Sequence, residues 1–274
     1  MMKSLLPCAL AVLSAVCAQA NEWHAYYRLT PDAYQKKFDE MVGQGYRLNS
    51  VSGYEHDGQP NFAVIFEKKP SAPWQSYSGL SFKAHDEKFN ELQAQGYHVA
   101  QVNGYTIDDK DYYAAVWDKS PVIAWQSRTG MSESGMQAYF NEYARQGYKL
   151  THLSGYEVAN ETRFATVWEK ANEKAAWWSQ ANLTSDEYQA TFDKLKSEGY
   201  QAVDIDGYQV NGTVFYAGIW EKTPSRASIT RYDLDSSTFQ ADFNQYRAQG
   251  YVLRTFSGYN VGKDDRYAAI WVKP

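Results

Sequence analysis

Gly96-Tyr97-His98-Val99-Ala100-Gln101-Val102-Asn103-Gly104-Tyr105 is one of five copies of a frame that decides the fold. The leading Gly-Tyr pair recurs at Gly45, Gly96, Gly147, Gly199 and Gly250, in steps of 51, 51, 52 and 51 residues. A second pair follows eight residues later, at Gly53, Gly104, Gly155, Gly207 and Gly258, and a Phe precedes by seven, at Phe38, Phe89, Phe140, Phe192 and Phe243. Three anchors agreeing in five registers are the signature of a tandem-repeat architecture.

Upstream of the frame each copy carries the signals of one helix. A residue whose side-chain oxygen can accept an orphan backbone N–H stands fifteen positions before the first Gly: Thr30, Ser81, Ser132, Thr184 and Asp235. The residue before it is apolar (Leu29, Leu80, Met131, Leu183, Leu234), and Tyr34, His85, Met136, Tyr188 and Phe239 follow at the spacing of a hydrophobic staple. With the Phe and Met41, Leu92, Tyr143, Leu195 and Tyr246 they form an i, i+4, i+7 apolar ladder. The pattern predicts an amphipathic helix of about fourteen residues, ended by a Gly in the left-handed C′ conformation.

Downstream, the residues between the Gly-Tyr pairs predict a strand, and turn residues such as Asp57-Gly58 and Asn211-Gly212 predict a tight hairpin. The returning strand, Tyr112 to Trp117 in the second copy, is apolar on both faces, as expected of a covered strand. A further strand opens each copy around Trp23, Trp74, Trp125 and Trp177, with Ser228 in the fifth. The reading is an α+β repeat protein of five tandem β-α-β-β units, residues 21–70, 71–120, 121–171, 172–223 and 224–274. A unit of this size cannot cover its own helix stripe and sheet, so its neighbours must. Neither end copy is atypical, as the end of an open solenoid would be, which favours a closed five-fold, α/β-propeller-like ring; an open solenoid is the alternative.

Residues 1–20 read as a cleaved export signal: Lys3, an apolar run from Leu5 to Val16, then Ala18-Gln19-Ala20 with small residues at the cleavage positions. Both cysteines, Cys8 and Cys17, fall within it, so disulfides and thiolate chemistry are excluded from the remainder, the single repeat domain 21–274. Val16 is too bulky for a lipoprotein signal around Cys17. The expected location is secreted or periplasmic. Without Lys3 the chain keeps 26 basic and 32 acidic residues, a net charge near −6 with no basic stripe, which argues against nucleic acid and anionic membrane as partners. No later apolar run approaches the roughly 20 residues of a membrane span.

The consensus Trp-Gln-Ser, Leu-Ser, Phe, Gly-Tyr, Gly-Tyr, Tyr-Ala-Ala-Val-Trp-Glu-Lys resembles the bacterial tandem repeat domain one family over essentially residues 23–273. Similar repeats form the non-catalytic N-terminal region of fungal polyglycine hydrolases. The resemblance implies a secreted recognition or scaffold module. The nucleophile of those hydrolases sits in a separate β-lactamase-like domain, in a Ser-x-x-Lys motif that this sequence lacks, so their protease activity is not implied.

Catalytic and metal motifs are likewise missing. The five histidines, His24, His56, His85, His98 and His152, occupy five different repeat positions with no His-x-x-x-His pair, and there is no Gly-x-Ser-x-Gly elbow or phosphate-binding loop. The acidic tips Asp108-Asp109-Lys110-Asp111 and Lys263-Asp264-Asp265 read as solvated turns in preference to calcium loops. The strand aromatics Phe66, Trp117, Trp168, Trp220 and Trp271 read as inter-repeat core in preference to sugar platforms. No cofactor and no metal are expected.

One position varies inside the fixed frame. Five residues after the first Gly stand Ser50, Gln101, His152, Asp204 and Thr255, all polar and all different. In a ring such equivalent positions converge, so the five are candidates for one ligand pocket with His152 and Asp204 as its polarising pair; the competing reading is a solvated strand face. The expected function is a non-enzymatic binding and scaffold protein for an extracellular or cell-envelope glycan or peptide. The alternatives are a hydrolase using His152, Asp204 and Ser50 at the ring centre, and a structural subunit bound to an envelope protein.

Overall fold

The computed structural model describes residues 22–170, 175–222 and 226–274; the export signal read from residues 1–20 lies outside them. Each unit runs strand, helix, strand, strand. Unit one comprises β1 (Glu22–Leu29), α1 (Pro31–Gly43), β2 (Arg47–His56) and β3 (Gln59–Lys68), and unit two β4 (Trp74–Ser81), α2 (Phe82–Ala94), β5 (His98–Ile107) and β6 (Lys110–Asp118). Unit three comprises β7 (Trp125–Met131), α3 (Glu133–Arg145), β8 (Tyr148–Val158) and β9 (Glu161–Lys170). Unit four has β10 (Trp177–Leu183), α4 (Ser185–Ser197), β11 (Gln201–Val210) and β12 (Thr213–Glu221); unit five has β13 (Ser228–Leu234), α5 (Ser236–Ala248), β14 (Val252–Val261) and β15 (Asp264–Val272).

The helix signals act where they were read. Thr30, Ser81, Ser132, Thr184 and Asp235 are the N-caps, each accepting a backbone N–H three residues on, and each helix has 13 residues. At the other end Gly45 takes φ 84° and donates to the Val42 carbonyl, while Tyr46 N–H donates to Met41. This pair of bonds is a Schellman closure, and only a residue without Cβ adopts that φ freely.

Each unit forms a separate three-stranded antiparallel sheet with its last strand in the middle, as in the order β1-β3-β2. The central strand is therefore paired along both edges, while helix and neighbouring unit cover its faces, and Phe66, Trp117, Trp168, Trp220 and Trp271 on it are 0–1% exposed, core as expected. Two irregularities repeat in every unit. The opening strand slips register before the N-cap, at a residue with positive φ: Arg28, Gly79, Gly130, Asn182 and Asp233. The second strand bulges at Asn49, Ala100, Thr151, Val203 and Arg254, the residue skipped between paired neighbours.

Units dock through the second Gly-Tyr. A Cβ placed on Gly53, Gly104, Gly155 or Gly207 would lie 2.2–2.5 Å from the ring of Tyr105, Tyr156, Tyr208 or Tyr259 of the following unit. A Cβ on Gly258 would lie 2.6 Å from the ring of Tyr54, in unit one. Only Gly lets the ring lie directly on the neighbouring backbone. The same Tyr hydroxyls accept backbone N–H groups from the positive-φ residues of their own units, Arg28 N–H to Tyr54 and Gly130 N–H to Tyr156 at 3.1 Å among them. The bulge before each helix thus anchors the ring that locks the seam.

Candidate functional site

The second strand of each unit is a sheet edge, and its outward N–H groups need acceptors. No backbone ladder joins two units, and side chains of the next unit supply the acceptors. Val51 N–H donates to Gln101 Oε1 at 2.8 Å, and Gly53 N–H to Asn103 Oδ1 at 2.7 Å. Gly104 N–H donates to Ser154 Oγ, Leu153 N–H to Asp204 Oδ2, Gly155 N–H to Asp206 Oδ2 and Gly207 N–H to Ser257 Oγ. Gly258 N–H donates to Ser52 Oγ at 3.0 Å.

The variable row takes part in this bonding through Gln101 and Asp204. Ser50 and Asp204 are buried, and Gln101, His152 and Thr255 are partly so. Gln101 Nε2 donates to Ser50 Oγ at 3.1 Å and Thr255 Oγ1 to the Val203 carbonyl at 3.3 Å. Ser50 and Asp204 depart from a solvated strand face because the edge strand packs against another unit, whereas Gln101, His152 and Thr255 keep part of their surface open. The five do gather: together with the bulge residues they line one concavity of about 510 Å³. Arg254 stands exposed at its rim, and Lys69, bonded to Glu67 and Asn49, lies beside it.

A second row, Ser52, Asn103, Ser154, Asp206 and Ser257, did not stand out in the sequence as a site. Its signal is a short hydrogen-bonding side chain immediately before every second Gly. Beyond it, farther along the same strands, the Gly-Tyr pairs line a smaller concavity of about 250 Å³ with Glu55, Asp108, Asp109 and Glu157 at its margin.

The titratable groups of both rows sit in the seam between units three and four. His152 Nδ1 lies 2.9 Å from Asp204 Oδ2. Burial pushes the imidazole down, but the carboxylates of Asp204 and Asp206 outweigh it and hold its pKa above the ordinary value. Asp206, deeply buried, is pushed up to about 7 by that burial, against its hydrogen bonds from Ser257 and Gly155. The His–carboxylate pair of the hydrolase alternative thus forms, but its nucleophile does not join it. His152 Nε2 is buried facing the Val102 carbonyl without a well-formed hydrogen bond, and Ser50 Oγ is held by Gln101.

The acidic tips are exposed at Asp108, Asp109, Lys110, Lys263 and Asp264, as expected of solvated turns, but not at their last residues. Asp265 is 2% exposed, gripped by both arms of the Arg28 guanidinium and by the Tyr267 hydroxyl, and Asp111 accepts from Tyr113 at 2.7 Å. Among the described residues no cluster of His, Cys, Asp and Glu could hold a metal ion, and no helix is long and apolar enough to cross a membrane.

One family model matches the chain five times in succession, at residues 20–69, 71–120, 122–171, 174–223 and 225–274, and it describes a polyglycine hydrolase-like structural repeat.

Proposed function

The chain belongs to the family of polyglycine hydrolase-like structural repeats, and from that premise we propose that it is an exported, non-enzymatic binding and scaffold protein whose five units close into one ring. Closure is supported by the contacts of unit five with unit one, which repeat those of the other seams: Gly258 N–H on Ser52 Oγ, the Tyr54 ring on Gly258, and Tyr54 hydroxyl 3.0 Å from that of Tyr267. In an open solenoid those edges would be free. Small-angle scattering from a compact particle agrees with the ring; an elongated one rules it out.

The observation that carries the binding function is that the five variable positions, one from each unit, meet in one concavity. The bulge turns Asn49, Thr151 and Arg254 toward it, and these side chains differ from copy to copy where the fold does not require it. One exposed guanidinium, Arg254, above hydroxyl, amide and imidazole–carboxylate groups suits a polar ligand, an extracellular or envelope glycan or peptide. The test is a thermal-shift and pull-down screen against peptidoglycan, chitin, cellulose and polyglycine peptides, repeated with Arg254→Ala. Arg254 is exposed and its side chain makes no hydrogen bond or ion pair among the described residues, so its loss is expected to spare the fold. Stabilisation by one ligand that disappears in Arg254→Ala is the expected result. A ligand response unchanged in the variant moves binding elsewhere, and none at all leaves the envelope-subunit reading in front.

A further inference from the structure

Between α3 of unit three and the edge strand β10 of unit four lies a crevice of about 500 Å³, away from the five-unit concavity. Its floor is apolar, formed by Met136, Phe140 and Phe164, which the core demands. Its wall carries Trp178, 48% exposed. The other units place His24, Gln75, Gln126 and Ile229 at this position, so the repeat does not require an aromatic there. An indole half open to solvent on a crevice wall is not accounted for by folding.

A second departure lies next to it. In units two and three the serine hydroxyls of Ser76 and Ser127 donate to the carbonyls of Ala115 and Thr166, each at 2.9 Å. The equivalent Ser179 Oγ is buried in the crevice wall with no partner among the described residues. Glu133 and Gln180 on the rim make no side-chain hydrogen bond among the described residues, and Gln137 uses only its amide nitrogen, on Asn141. The crevice thus combines a flat aromatic face, an apolar floor and uncommitted amide and carboxylate groups in a volume typical of small-ligand sites.

We propose that this crevice binds a pyranose unit of a neutral glycan, with the C–H face of the sugar stacked on Trp178 and its hydroxyls on Glu133 and Gln180. Glu133 sets the charge class, since a carboxylate accepts from sugar hydroxyls and repels uronic or sialic acids. This is a second site, separate from the five-unit concavity and independent of Arg254.

The experiment titrates the full chain with cello-oligosaccharide, chito-oligosaccharide and, as the charged control, polygalacturonate, reading tryptophan fluorescence. Trp178→Gln is the variant, because units two and three already carry Gln here and fold around it. The expected result is a saturable change with one neutral oligosaccharide, none with polygalacturonate, and at least tenfold weaker binding in Trp178→Gln at an unchanged melting temperature. Arg254→Ala leaves this response intact, so failure at the five-unit concavity and failure here are told apart. No saturable change with either neutral sugar, equal affinity in Trp178→Gln, or a response only to polygalacturonate would overturn the proposal.

Discussion

At the scale of the residue, Asp206 concentrates the chemistry of the inner strands. Its carboxylate accepts from Gly155 N–H and, at 2.6 Å, from Ser257 Oγ, while burial raises its pKa from 3.8 to about 7. His152 is also raised, from 6.5. Each therefore holds in the folded state a proton that the unfolded chain gives up sooner, so both contributions are full at low pH and fade as pH rises. Asp206's is lost between about pH 4 and 7, and that of His152 above its unfolded value. Asn103 holds the equivalent place in unit two, accepting from Gly53 N–H and donating to Ser154 Oγ. Asp206→Asn can reproduce both bonds without the charge. Thermal melts are expected to show wild type losing stability from pH 5 to pH 8 and the variant losing less, with the higher midpoint at pH 8; an equal or lower midpoint there counts against the buried charge. The convergence of Ser50, Gln101, His152, Asp204 and Thr255 was legible because variation inside a fixed frame marks freedom from the core. Their hydrogen-bonding duty was not, because nothing local tells a strand residue that its acceptor or donor lies about 50 positions away.

At the scale of the element, the helices were the most legible part. Caps, staple and terminal Gly are local signals, and local signals survive assembly. α4 has the fullest version, a capping box in which Thr184 accepts from Glu187 N–H and the Glu187 carboxylate accepts from Thr184 N–H. Thr184→Ala removes one side of it and is expected to cost about 1 kcal/mol in chemical denaturation, with the circular dichroism of the folded state unchanged. The strands were found, but not their bulges. Asn49 and its equivalents carry no common residue type, and a bulge is imposed by pairing rather than by the bulged side chain. That single extra residue explains why Leu48 and Val51, three apart, are both fully buried on one strand.

At the scale of the whole molecule, the seams are alike in their Gly-Tyr contact and unlike in their electrostatics. Units one and two share the ion pair Arg47–Asp118 at 3.1 Å, and units three and four Lys149–Glu221 at 2.9 Å. The seam of units five and one has Arg28 on Asp265, with Arg28 replacing the Gly79, Gly130, Asn182 or Asp233 of its equivalents. The Arg28 side chain is 45% exposed and that of Asp265 is 2% exposed. Arg28→Asn keeps a residue tolerant of positive φ but strands the buried carboxylate, an expected loss of about 1–2 kcal/mol once solvent screening of the guanidinium is allowed for. Adding Asp265→Asn should recover most of it; a double variant no more stable than the single would mean the seam does not depend on this charge. The repeat count was legible from the glycines, whereas this unequal charge was not, since Arg28 and Asp265 are 237 positions apart in the chain. That separation also sets an order of events in biosynthesis. Tyr54 is made early, yet its seat at Gly258 emerges almost last. Until then unit one presents a naked strand edge and an unseated aromatic ring, an adhesive surface that the growing polypeptide must shield or keep unfolded. In the ring proposed above, synthesis of the fifth unit retires that hazard, and a chain stopped after the fourth would leave two sticky ends and be a natural target for quality control.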